Sequence, residues 1–297
     1  ITHVHGAHTY DWADGYTEAW YLPAAVNIPP GFATVGSHYD SFKALSPLAA
    51  KWTPGSALFE YPNDQGDATL WYHDHSLGMT RVNIYAGPVG FYLLRGAPDN
   101  QFDDRITGKK AVLPGPAPAI GNAPGTRYYE IPIAIQDRSF NVDGSLFYPD
   151  NRAFFEGLDP AQLQIPFSPS VACDGQPSDV APIWNPEFFG NTMVVNGATW
   201  PYLNVEQRRY RLRFLNGCNS RFLILRLSNG TPFVQIGAEG GYLPAPVQLT
   251  ELLLAPAERA DVIVDFTNVA VGTNIILQNF APDAPYGGGV LGVDFTA

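Results

Sequence analysis

The sequence predicts an all-β chain of sandwiches or barrels. Three observations carry this. Short apolar runs alternate with turn residues along the chain, 29 Gly and 27 Pro supply those turns, and 3.6-residue helical periodicity is scarce. Strands spaced this way fit a β-sandwich or β-barrel. A length of 297 residues suggests two domains.

The elements follow in order. "ITHVHG" reads as the middle of a strand, which places the true N-terminus upstream. "SFKALSPLAAKW" fits one short helix or an irregular loop. "RRYRLRFLNG" is the clearest strand, with Arg209, Arg211 and Arg213 on one face and Tyr210, Leu212 and Phe214 on the other. "RFLILRLSNGTPFVQIG" follows, with Asn229-Gly230 as a hairpin turn signal. "ELLLAPAERADVIVDF" and "NIILQNF" continue the series. The Pro-, Gly- and Ala-rich stretch Leu113 to Gly125 reads as a linker. The expected division is a first domain over 1–100, a linker or loop over 101–126, and a second domain over 127–297. A proline-rich stretch from about 149 to 190, carrying Cys173, reads as a long connection within the second domain.

Composition excludes several classes. Hydrophobic residues make up 45% and charged residues 15%, a globular balance. The formal net charge of −11 argues against a nucleic-acid partner. No apolar run approaches the roughly 20 residues of a membrane span. Cys173 and Cys218 leave one disulfide open without deciding it, and the absence of a CxxC pair argues against a zinc knuckle. No signal peptide is visible.

The histidines are unevenly placed. All six (3, 5, 8, 38, 73 and 75) lie in the first 75 residues. His3-Val4-His5 and His73-Asp74-His75 are both His-x-His pairs. On a strand, residues i and i+2 share a face and start about 6.6 Å apart. Two such pairs present four imidazoles to one place, and imidazole suits Cu, Zn, Fe and Ni. Spacing alone does not name the metal. It leaves open one tetrahedral ion held by all four rings, or several ions straddled by the pairs. His8 is off the register of His5, and His38 reads as a solvated surface residue.

With "HVHG", "ADGYTEAW" and "YPNDQGDATLWYHDHSLGMTRVNIYAGPVGFYLLRG", the first domain resembles that of the multicopper oxidases. Within these it is similar to the bacterial spore-coat laccase and bilirubin-oxidase-like branch. "IQDRSFNVDGSLFYPD", "MVVNGATWPYLNVEQRRYRLRFLNGCNSR" and "LLLAPAERADVIVDF" extend the resemblance over nearly the whole chain.

The resemblance implies tandem cupredoxin-like Greek-key β-barrels or sandwiches and copper as the cofactor. It implies His3 as a ligand of a type 2 copper, and His5, His73 and His75 as ligands of a type 3 pair. These ions form a trinuclear cluster that reduces O2 to water with electrons from a small aromatic or metal-ion reductant. Asp14 matches an acid near the cluster's water route and is a candidate proton relay; its plainer role is a turn residue before Gly15. Asp11 is a weaker candidate of the same kind. Asp74 points to the opposite strand face and reads as a surface or structural carboxylate. Trp71, Tyr72 and Met79 read as core packing.

The chain also departs from the family. "HPxHxH" and "HCHxxxH" motifs are missing, and neither cysteine has a histidine nearby, so ligands of a type 1 copper are absent. The expectation is a fragment covering most of the first domain and the second, with a third cupredoxin domain in the same parent chain; a separate subunit supplying the missing ligands is the other option. The resemblance fits spore-coat, periplasmic or extracellular settings without choosing. The expected function is a laccase-like oxidase acting on phenols or related donors, with this chain inactive alone. The alternative is a non-catalytic cupredoxin-like copper-binding or coat protein. A two-domain nitrite-reductase-like enzyme would require a Cys-containing copper motif that the chain lacks.

Overall fold

The computed structural model describes residues 1–23, 28, 30–96, 101–149 and 187–283. Cys173, Gly287 to Gly289, the closing "GGGVLGVDFTA" and most of the 149–190 connection lie outside the described residues. The chain divides into two compact units. One comprises Ile1–Asp64, Trp71–Tyr92 and Phe147–Phe188; the other comprises Gln65–Leu70, Leu93–Leu146 and Phe189–Ala297.

His3, His5 and His73, all in the first unit, sit on a three-stranded sheet. β1 (Thr2–His5) pairs antiparallel with β2 (Ala68–Asp74), and β3 (Gly90–Leu94) completes the order β1-β2-β3. Thr, Leu, Trp and Tyr in β2 suit a pleated, half-buried surface. Two helices punctuate this unit, α1 (Tyr39–Leu45) and α2 (Thr80–Ala86). α2 stops at Gly87, whose φ of 120° lies outside the range other residues adopt readily. Ile1, Ala19 and Trp20 form a small core with Tyr21, Leu22, Phe42 and Phe59 against it.

The second unit is a two-sheet sandwich with the larger core. β6 (Glu130–Arg138), β7 (Thr192–Val195), β8 (Ala198–Thr199), β9 (Arg209–Asn216), β11 (Phe233–Ala238), β12 (Gly241–Leu249) and β14 (Arg259–Asp265) form a sheet in the order β12-β11-β14-β9-β6-β7-β8. β10 (Leu223–Leu227), β13 (Leu252–Leu254) and β15 (Leu277–Asn279) form the other, in the order β13-β10-β15. Phe214, Leu212, Leu223, Leu225, Phe233, Leu252, Val262 and Val264 fill the space with Ile135 and Cys218. Cys218 carries a free thiol, and burial pushes its pKa well up. β6 runs parallel to β9 while its other neighbour, β7, is antiparallel, so the chain crosses over rather than meandering.

Two sequence expectations look different in the fold. Asn229-Gly230 does form a turn, with Gly230 N–H donating to the Leu227 carbonyl at 2.8 Å. It is not a hairpin, however: β10 pairs with β13 and β15, while β11 pairs with β12 and β14. The turn hands the chain from one sheet to the other, and Pro232, two residues after Gly230, cannot donate to a ladder. Of the β9 arginines, Arg211 and Arg213 are buried and Arg209 is exposed. Glu130, fully buried, receives Arg95 through two bonds of 2.7 and 2.8 Å and lies 2.7 Å from Arg213 Nε, while Arg211 binds Asp261. Finally, the segment 101–126, expected as a linker, begins with a small hairpin of β4 (Gln101–Asp103) and β5 (Lys110–Val112). Phe102 and Leu113 are buried there with Ile236.

β12 is an outer strand and carries Pro244 and Pro246. Arg105 N–H donates to the Pro244 carbonyl at 2.8 Å, so that carbonyl faces away from β11. The nitrogen of the same residue faces the same side, and the missing donor costs the ladder nothing. No helix among the described residues is long and apolar enough to cross a membrane.

Candidate metal centre

The register of β1 and β2 assembles the site. His3 is the direct partner of His73, and His5 of Trp71. Directly opposed residues stand about 4.5–5.5 Å apart at Cβ, so one cross-strand pair brings together a histidine from each His-x-His motif. His75 lies one residue past β2, where its N–H donates to the Ile1 carbonyl at 2.8 Å and extends the alignment.

The four rings form one cluster. His3 stacks on His75 with centroids 4.4 Å apart and planes 17° from parallel. His3 and His73 meet edge-on at 5.4 Å, as do His3 and His5 at 5.7 Å. Ligand atoms of His3, His5 and His73 all lie within 4.8 Å of one another. His75 stands beside this triad through its stack on His3.

Backbone carbonyls fix three of the tautomers. His3 Nδ1 donates to the Asp14 carbonyl at 2.6 Å, His73 Nδ1 to the Asp74 carbonyl at 2.7 Å, and His75 Nδ1 to the Gly15 carbonyl at 2.7 Å. A carbonyl only accepts, so each Nδ1 carries the proton and each Nε2 keeps a lone pair. A hydrogen bond of this kind is also what orients a metal-binding imidazole. His5 is turned the other way: its Nδ1 lies 3.3 Å from His73 Nε2. Two nitrogens sharing one tetrahedral ion at about 2.0–2.1 Å would stand about 3.3–3.4 Å apart. The donor set therefore fits a metal that imidazole favours. Burial, with the neighbouring His3 and His75, lowers the His73 pKa to about 4, so its ring is neutral at pH 7. Neutrality is the state in which imidazole binds metal.

Asp14 serves as a turn residue, at the end of a 3-10 turn over Asp11–Ala13. Its carboxylate also lies 3.3 Å from His3 Nδ1 and is half exposed. Gly15, which the sequence did not single out, has φ of 82°, and a Cβ there would come within 2.3 Å of the Thr2 carbonyl oxygen. Its signal was the Asp-Gly turn dipeptide. Asp74 is structural: it accepts from Ser76 N–H and Oγ and from Asn83 Nδ2, tying the end of β2 to α2. Trp71 is buried as expected, whereas Tyr72 is 41% exposed, because alternate residues of β2 face opposite sides. Met79 is only partly buried, next to α2. Asp11, His8 and His38 lie outside the triad.

Comparison with known proteins then identifies the family. No family model matches the chain. It is 38% identical to the laccase of Bacillus subtilis (strain 168) over 281 residues, and 33% identical to the multicopper oxidase LPR1 of Arabidopsis thaliana over 287. The chain belongs to the multicopper oxidase family. Among solved structures, this multicopper oxidase chain superposes on the McoA multicopper oxidase 2F4 variant of Aquifex aeolicus with a TM-score of 0.58 at 25% identity. That match covers 94% of this chain and 45% of the other. A laccase from Pediococcus acidilactici gives 0.57 at 25% identity, covering 94% and 43%. The fold is therefore the cupredoxin β-architecture expected from the sequence. The alignment to the Bacillus laccase takes in 95% of this chain but 42% of that protein, and the Arabidopsis alignment 96% and 38%. The chain spans about two fifths of the length of these curated relatives.

Proposed function

We propose that the protein containing this chain is a laccase-like multicopper oxidase. It oxidises phenolic or related small donors by one electron at a time and reduces O2 to water with four. The observation that carries this reading is the four-imidazole cluster on paired strands, with three rings pinned by backbone carbonyls. Copper, when bound, supplies the redox chemistry that passes donor electrons to O2.

The chain's own residues bind and orient. His3 is assigned to a type 2 ion, and His5, His73 and His75 to a type 3 pair. The carbonyls of Asp14, Gly15 and Asp74 hold three of these rings with their lone pairs inward. The Asp14 carboxylate, open to solvent and beside His3, holds and hands on protons at its oxygen. We assign a first domain to 1–100 and a second to 127–297, separated by 101–126. The remaining cluster ligands and the type 1 site belong to a third cupredoxin domain, on the same parent chain or another, and the electron donor docks there.

The test uses the full-length, copper-loaded protein with a phenolic donor. A blue thiolate–copper absorption and donor-dependent O2 uptake are expected. Copper binding with neither signal overturns the oxidase reading in favour of a copper-binding protein without catalysis.

A further inference from the structure

The two histidine pairs share a neighbour that is not itself a ligand type. Trp71 lies on β2 two residues before His73, hence on the same face, and is the direct partner of His5 in the β1–β2 register. Its indole lies 4.4 Å from the His73 ring at 41°, and stacks 5.5 Å from the His5 ring at 26°. It is 2% exposed. One buried plane thus touches one imidazole from each motif. These are the two rings whose nitrogens meet at 3.3 Å.

Shape, rather than polarity, explains a tryptophan here. The indole Nε1–H is buried and meets no acceptor among the described residues. A buried donor left unmade is unfavourable, so the N–H does not account for the residue. The flat face does. An imidazole on a strand swings about two side-chain torsions, whereas ligand distances at a metal tolerate only about 0.2 Å. The indole face lies along the His5 ring and against the His73 ring.

We propose that Trp71 is a positioning residue of the metal centre: its indole fixes the planes of the His5 and His73 rings and holds their facing nitrogens at the spacing one ion needs. This rests on the metal-binding reading given above. General core packing makes a different prediction, because any apolar side chain of sufficient bulk would then serve.

The experiment compares wild type, Trp71→Phe and Trp71→Leu in the full-length protein. Copper is titrated in competition with a chelator, and near-ultraviolet and EPR spectra of the loaded protein are recorded beside thermal midpoints. Trp71→Leu is expected to fold, to bind copper at this centre about tenfold or more weakly, and to change the spectra. Trp71→Phe, which keeps a flat ring and removes the unmade donor, is expected to restore both. A folded Trp71→Leu protein with wild-type affinity and spectra overturns the proposal, as does a folded Trp71→Phe protein as impaired as the leucine variant. Failure of the wild type itself to take up copper overturns the metal reading, and this proposal with it. A second measurement covers the case in which Trp71→Leu does not fold. Copper should quench a component of tryptophan emission in wild type that Trp71→Phe lacks; equal fractional quenching in both overturns the proposal.

Discussion

His3 and His73 are direct partners across β1 and β2, so the candidate metal centre is built on a strand register rather than on a loop. A one-residue slip of either strand would turn its histidines to the opposite face. The centre is therefore as well specified as the sheet that carries it.

Removing one member should expose that dependence. His73→Ala in the full-length protein is expected to weaken copper binding on the order of tenfold or more. The fold should survive, since the neighbouring Leu70 and Trp71 keep their burial. Chelator competition beside a thermal melt checks this, and unchanged copper content would count against the ligand assignment.

Gly15 is expected to tolerate no side chain. Its φ is left-handed, and an added Cβ would collide with the Thr2 backbone next to His3. Gly15→Ala should cost about 1–3 kcal/mol, read from chemical denaturation. Copper affinity should fall with it, because the carbonyl that orients His75 belongs to this residue.

Asp14→Asn separates binding from proton handling. The carbonyl to His3 remains while the carboxylate is lost. O2 uptake should fall about 10²-fold with copper content unchanged. An equal loss of copper would make Asp14 a structural residue only.

The buried arginines predict an acid limb. Burial pushes the Glu130 pKa up, but the hydrogen bonds from Arg95 and the charges of Arg213 and Arg211 outweigh it, and the net shift is downward. A carboxyl with a lowered folded pKa contributes stability above its unfolded value of about 4.3, and that contribution disappears as pH falls through the folded value. Glu130→Gln should cost about 3–5 kcal/mol at pH 7, because it leaves buried guanidinium groups short of a counter-charge. The gap to wild type should narrow below pH 4. Denaturation midpoints at pH 7, 5 and 3 measure it, and a gap independent of pH would contradict the charge argument.

Much of this was readable beforehand, and the limits are physical. His3, His5, His73 and His75 were legible because a two-residue period forces each pair to one face. The same rule separates Trp71 from Tyr72, although their chemistry suggested a common core role. The anchors of the rings were less legible: Asp14, Gly15 and Asp74 act on them through backbone carbonyls, which every residue type carries. Asn229-Gly230 gave a turn correctly, but a local turn does not say which strands pair beyond it. The partners of Arg211 and Arg213 were not legible, because Glu130, about 80 residues upstream, is invisible to a local pattern.

The prolines of β12 have a consequence for how the molecule behaves in company. An open sheet margin is a template on which a passing strand from another molecule can add. Here Pro244 and Pro246 each remove a donor from that margin, and Arg105 occupies an outward acceptor. The sheet is closed to recruitment on that side, so concentrated or partly unfolded protein should not polymerise through β12.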